Sequence, residues 1–206
     1  MFQRENRGRP LILASGSPRR RYLLTQAGIA HEVSPSGVDE ESSSFATPVE
    51  HASTLARLKA EDVAGRHRNR WVLGADTIVV LDEEILGKPV DEDAARGMLV
   101  RLSGRWHEVV TGYCLCPPGG GPPVVEACRT RVRFRELTDG DIRWYLATGE
   151  PRDKAGGYGI QGRGAFLVKE LSGSYSNVVG LPVCEVVELL RNQGALVRTH
   201  EDRQAG

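Results

Sequence analysis

Trp71-Val72-Leu73-Gly74-Ala75-Asp76-Thr77-Ile78-Val79-Val80-Leu81 decides the fold class. Its valines and isoleucine favour extended backbone. Apolar residues fall at both odd and even positions, so a strand here is buried on both faces, inside a sheet covered by helices. Asp76 breaks the run. An unpaired buried carboxylate costs several kcal/mol, so something must hold it. A metal, a lysine or aligned hydroxyls would serve; a strand bend with local donors is the plainer alternative. A carboxylate held in this way also suits metal ligation or general-base work.

Outward from this run, strands and helices alternate, which gives an α/β class. Upstream, Leu11–Ala14 reads as a short strand, Pro18–Ala27 as a helix and 31–34 as a strand. Residues 48–66 read as a helix, because Val49, Ala52, Ala56 and Ala60 recur on one face. Downstream, Asp82–Glu84 is a turn, and Asp91–Leu102 is a helix stopped by Ser103-Gly104. Residues 106–116 and 123–135 read as two long strands joined by a Pro- and Gly-rich hairpin loop at 117–123. Thr138–Thr148 is a helix with Thr138 as N-cap and Asp141 in the capping-box position. Residues 149–164 form a Gly-rich loop, Phe166–Leu171 a strand and Leu181–Gln193 the last long helix, before a polar tail at 199–206 that is expected to fray.

The chain has 206 residues, the size of one domain. Lys and Arg number 27 and Asp and Glu number 27, so the net charge is zero. That argues against a protein that coats nucleic acid, which needs a basic excess. No run approaches the ~18 uninterrupted apolar residues of a membrane span. Leu11–Ala14 is also too short for the core of a signal peptide, so a cytoplasmic location is expected. Cys114, Cys116, Cys128 and Cys184 form no C-x-x-C, and the 5 histidines are scattered, which argues against structural zinc. The thiols are expected to be reduced, with Cys184 in the core.

Four further stretches carry chemistry. In Ala14-Ser15-Gly16-Ser17-Pro18-Arg19-Arg20 a strand ends, a turn follows, and a helix opens on proline with Ser17 as N-cap. The free N–H groups at such a start attract anions, and Arg19 and Arg20 add forked cations suited to phosphate. The plainer reading is a capped helix with solvated arginines; this is no Walker loop. Lys59, Lys88 and Lys154 each follow small or apolar residues, and each alone reads as a solvated lysine. Asp39-Glu40-Glu41 reads as a solvated turn unless a phosphate lies beside it, where the run would help hold Mg²⁺. Gly156-Gly157-Tyr158-Gly159-Ile160-Gln161-Gly162-Arg163-Gly164 allows close backbone approach to a ligand, and the Gln161 carboxamide is suited to a base edge.

Taken in order, Leu11–Arg20, Leu73–Val79, Leu86-Gly87-Lys88-Pro89, Leu102-Ser103-Gly104, Asp153–Gly156, Tyr158–Gly162 and Gly173–Pro182 resemble the Maf family of nucleoside triphosphate pyrophosphatases over roughly residues 10–192. The resemblance implies an elongated mixed sheet flanked by helices, with two lobes and a central cleft, related to the inosine triphosphate pyrophosphatases. It implies hydrolysis of a nucleoside triphosphate to monophosphate and pyrophosphate with a divalent cation, Mg²⁺ or Mn²⁺. Thr77 after the aspartate, and Ile160-Gln161-Gly162, resemble the subgroup acting on dTTP and UTP, modified pyrimidines included.

By that resemblance Asp76 is the proton acceptor, and Arg19, Thr77 and Gln161 set substrate choice. Ser15, Ser17, Arg19, Arg20, Lys59, Lys88 and Lys154 are expected to bind substrate, and Glu40 with Asp76 the metal. A homodimer is implied, with nucleotide as the partner and neither nucleic acid nor membrane. The family's link to septum formation gives an alternative, a nucleotide-binding regulator with little turnover. An α/β scaffold without chemistry is the third reading.

Overall fold

The computed structural model describes residues 2–3, 9–39 and 46–198. A seven-stranded sheet has the order β3-β2-β4-β6-β7-β8, with β5 paired to β4. Its strands are β2 (Leu11–Leu13), β3 (His31–Val33), β4 (Val72–Leu81), β5 (Glu84–Leu86), β6 (Trp106–Cys116), β7 (Val124–Phe134) and β8 (Val168–Ser172). β2 runs parallel to β3 and β4, and β4, β6, β7 and β8 are antiparallel in turn. The parallel pairings follow from α1 (Pro18–Gln26) and α2 (Pro48–Arg66), helices that return the chain after β2 and β3. A separate two-residue pairing joins β1 (Phe2–Gln3) to β9 (Val197–Arg198). Among the described residues no helix is long and apolar enough to cross a membrane.

β4 is buried along its length except at Thr77, which is half-buried. Its odd residues face one way and its even residues the other. On the odd face Leu73 and Ala75 join Leu24 of α1 and Leu189 of α6 (Val183–Asn192). Farther along, Val79 and Leu81 join Leu99 of α3 (Glu92–Leu102) and Tyr145 of α4 (Asp139–Leu146). On the even face Val72 packs with Ala56 and Ala60, while Ile78 and Val80 pack with Ala52. Apolar packing thus fills both ends of β4 and is interrupted on both faces at Asp76 and Thr77. The molecule is two-lobed for this reason.

α2 lies very close to the sheet. A β-carbon on Gly74 would stand 2.4 Å from the Ala56 carbonyl oxygen, and one on Gly112 would stand 2.3 Å from that of Ala52. No substituent fits there. Small residues on both sides let the helix descend, and Lys59 descends with it.

The outer edge of β4 is shared. β2 pairs with it at Val72 and Leu73, and β5 pairs with it at Val79–Leu81. Among the described residues no strand borders 74–78 on that side. This gap lies at the carboxyl end of β2, where the order of strands turns, the usual place for a crevice in an α/β sheet.

The alternation of elements matches the sequence reading, and several details differ. Asp82 and Glu83 have φ of 51° and 65°, a two-residue hairpin turn that leads into β5, a strand the pattern did not predict. The 149–164 segment is built of 3-10 turns at Glu150–Asp153, Ala155–Gly157 and Gly162–Leu167 rather than an open loop. Gly156 serves packing: at φ +67°, it leaves only 3.0 Å between a would-be β-carbon and Val79. The last of these turns runs through Leu167, so β8 starts two residues later than expected. Thr138 and Asp141 form the expected capping box. A short helix, α5 (Tyr175–Val179), was not foreseen, and α6 begins after Pro182. Cys184 is exposed, not in the core; all four cysteines are free. The tail at 199–206 lies outside the described residues.

Candidate active site

A cavity of about 760 Å³ opens at the β4 gap. Ser15, Ser17, Arg19, Arg20, Lys59, Asp76, Thr77, Lys88, Lys154 and Gln161 all line it. The three lysines, weak signals singly, converge there. Glu40 lies outside the described residues.

At the wall, Lys59 Nζ donates to Asp76 Oδ1 at 2.7 Å. Both residues are buried, at 6% and 7% exposure. A lysine, one of the holders anticipated, therefore offsets the cost of the buried carboxylate. Asp76 Oδ2 makes no hydrogen bond among the described residues.

The turn before α1 is organised by Ser15. Its Oγ accepts the Ser17 N–H at 3.2 Å and an Arg20 Nη1 bond at 3.0 Å. Ser17 stands at the N-cap position, but its hydroxyl caps no helix N–H, contrary to expectation. Pro18 follows as the first helical residue and has no N–H to offer.

The adjacent arginines point to different tasks. Arg19 reaches across the cavity and pairs with Asp153 at 3.2 Å. Arg20 turns inward: Nε donates to the Gly180 carbonyl at 2.8 Å and Nη2 to Thr77 Oγ1 at 3.0 Å. It ties the turn after β2, the centre of β4 and the end of α5 together. Thr77 Oγ1 also lies 2.9 Å from Thr111 Oγ1 and 3.2 Å from the Gly180 carbonyl. Its hydroxyl is engaged inside the protein.

On the opposite wall, Lys154 Nζ donates to the Glu150 carbonyl at 2.5 Å and pairs with Asp153 at 2.6 Å. Burial pushes the Asp153 carboxyl up, but Lys154 and Arg19 outweigh it and hold the group below its ordinary value. Lys88 is exposed and has no ion pair among the described residues. The Gln161 carboxamide makes no hydrogen bond among them either.

Beneath this wall lies a pair that sequence reading missed. Tyr158 OH and His107 Nε2 are 2.7 Å apart, both buried. Burial lowers the His107 imidazole to about 4, so the ring is neutral and the phenol donates to it. Phe134 packs edge-on against both rings, at 4.6 Å from Tyr158 and 5.0 Å from His107. The pair anchors the segment that carries Lys154 and Gln161. No local pattern signals it, since the partners are 51 residues apart.

Fold and site define an α/β protein with a cation-lined crevice around one buried carboxylate. The Maf-like protein family matches residues 10–193, and the chain belongs to it. A dTTP/UTP pyrophosphatase of Geotalea uraniireducens (strain Rf4) is 54% identical over 186 residues, covering 90% of this chain and 96% of its own. One from Halalkalibacterium halodurans is 52% identical over 190 residues, covering 92% and 99%. Among solved structures, a HAM1 protein from Coxiella burnetii superposes with a TM-score of 0.50 over 89% of this chain and 98% of that one. At 14% identity, that likeness concerns the fold alone.

Proposed function

We infer that the chain hydrolyses dTTP and UTP to the monophosphate and pyrophosphate. The observation that carries this is the buried Lys59–Asp76 pair at the wall of a cavity lined by Arg19, Lys88 and Lys154. The names carried by relatives at about half identity over nearly the whole chain support the same reaction.

Arg19, Lys88, Lys154 and the Ser15–Ser17 turn receive the triphosphate. Lys59 fixes Asp76 through Oδ1, which leaves Oδ2 to orient a water and accept its proton. The water oxygen bonds to the α-phosphorus, and the bond from that phosphorus to the bridging oxygen breaks. The electron pair leaves with pyrophosphate, whose charge the cations offset. Arg20 acts one step back, holding Ser15 and Thr77 in place.

A divalent cation fits this donor set. Mg²⁺ takes one or two carboxylates and completes its shell with phosphate oxygens and water. Asp76 with Glu40 would hold Mg²⁺ or Mn²⁺. When bound, it would neutralise phosphate charge.

Gln161, with donor and acceptor both unengaged among the described residues, pairs with the 4-oxo and 3-NH groups of uracil or thymine, modified pyrimidines included. We place the enzyme in the cytoplasm as a homodimer whose partner is nucleotide, not nucleic acid or membrane. The test is pyrophosphate release from a panel of nucleoside triphosphates with Mg²⁺ or Mn²⁺, beside Asp76→Asn. Release from dTTP and UTP that the variant loses is expected. Binding without release in the folded wild type would favour the regulator.

A further inference from the structure

Among the described residues the cavity wall carries two acids, Asp76 and Asp153. Asp76 is buried and held by Lys59. Asp153 stands at the mouth with its side chain 67% exposed. Its two oxygens are divided between cations from opposite walls: Oδ2 takes Arg19 Nη1 at 3.2 Å, and Oδ1 takes Lys154 Nζ at 2.6 Å. A carboxylate bridging two cations offers them what the non-bridging oxygens of a phosphate offer.

We propose that Asp153 sets the affinity of the site for polyphosphate by competing with phosphate oxygens for Arg19 and Lys154. This rests on the reading that the cleft takes a nucleoside triphosphate. Exposed ion pairs are weak and yield readily to a ligand of higher charge. After cleavage the negative charge is divided between two fragments, and Asp153 retakes its cations against the weaker competitor. The residue thus loosens substrate and speeds product release. Lys154 stays in place without it, because the Glu150 carbonyl holds the same ammonium.

The experiment is calorimetric titration of inorganic pyrophosphate into wild type, Asp153→Asn and Asp153→Glu, with steady-state kinetics on dTTP. Two exposed ion pairs at their ordinary strength correspond to a gain of about three- to tenfold in pyrophosphate affinity for Asp153→Asn. Its KM and kcat for dTTP should fall together, as release slows. Asp153→Glu, which keeps the charge, should stay within about twofold of wild type. Unchanged or weaker pyrophosphate binding in Asp153→Asn overturns the proposal, and weaker binding would make Asp153 a scaffold for the cations. If wild type turns over dTTP and Asp153→Asn binds no tighter, only this proposal falls. If wild type binds neither pyrophosphate nor dTTP, the pyrophosphatase reading falls with it.

Discussion

Lys59 and Asp76 are costly to bury and more costly to separate. Removing one partner of a buried ion pair leaves an uncompensated charge, worth about 3–5 kcal/mol of stability. Lys59→Met should therefore lower stability by about that amount in urea denaturation, and turnover with it. Adding Asp76→Asn should restore most of the stability and none of the activity. Additive losses in the double variant would mean that the side chains are not coupled. Gln161 makes the opposite kind of prediction. Its carboxamide makes no hydrogen bond among the described residues, so Gln161→Glu should leave the melting temperature unchanged while cutting kcat/KM for dTTP and UTP. Equal losses on purine and pyrimidine triphosphates would remove it from base recognition. Asp76 and Gln161 were legible because each is an exception to its surroundings, an acid in an apolar strand and an amide among glycines; Lys59 was not, because its helix also carries Arg57, Glu61 and Asp62 and a lysine there looks solvated. Asp153 was not, because an acid beside a lysine in a loop looks solvated. Arg20 looked like its neighbour Arg19, and only tertiary contacts separate an arginine paired across the cavity with Asp153 from an inward strut.

At the scale of elements, the glycines of β4 and β6 set how close α2 comes. A methyl group at Gly74 or Gly112 meets helix backbone, which has no rotamer to yield. Gly74→Ala and Gly112→Ala should each cost about 1–3 kcal/mol, the ordinary penalty of overpacking. They should also lower kcat, because raising α2 draws Lys59 from Asp76. Gly97 is the contrast: it lies within α3, and a β-carbon there meets nothing within 4 Å. Gly97→Ala should gain up to about 1 kcal/mol from helix propensity and leave kcat alone. Thermal melts with initial rates separate the cases, and a harmless Gly112→Ala would refute the close packing. Sequence periodicity found the long strands and helices, since burial on one or two faces writes itself into the pattern. It missed β5 and α5, which are too short to show a period. It gives no sign that Gly156, within the Gly-rich 149–164 segment, is needed for packing against Val79.

The molecule as a whole is two packed ends joined by β4 and β6, which run unbroken through both. The far end, with Phe134, Tyr145 and the rings of His107 and Tyr158, carries the wall that bears Lys154 and Gln161. His107 makes this end sensitive to acid. Its folded value, about 4, lies below the ordinary 6.5 that it regains on unfolding. Between these values the unfolded chain binds more protons than the folded one, so stability rises with pH there and falls as pH drops. The loss begins below pH ~6.5, is complete near pH ~4, and amounts to roughly 3 kcal/mol. Protonation also removes the acceptor of the Tyr158 hydrogen bond, so the wall should loosen before the other end does. His107→Gln keeps an acceptor but does not titrate. Urea denaturation of both proteins from pH 7 to pH 4 is the check, with tyrosine fluorescence beside circular dichroism. Wild type should lose stability more steeply across that window, and its KM for dTTP should rise first. Parallel pH profiles for the two proteins would show that His107 is not the group whose protonation opens this end.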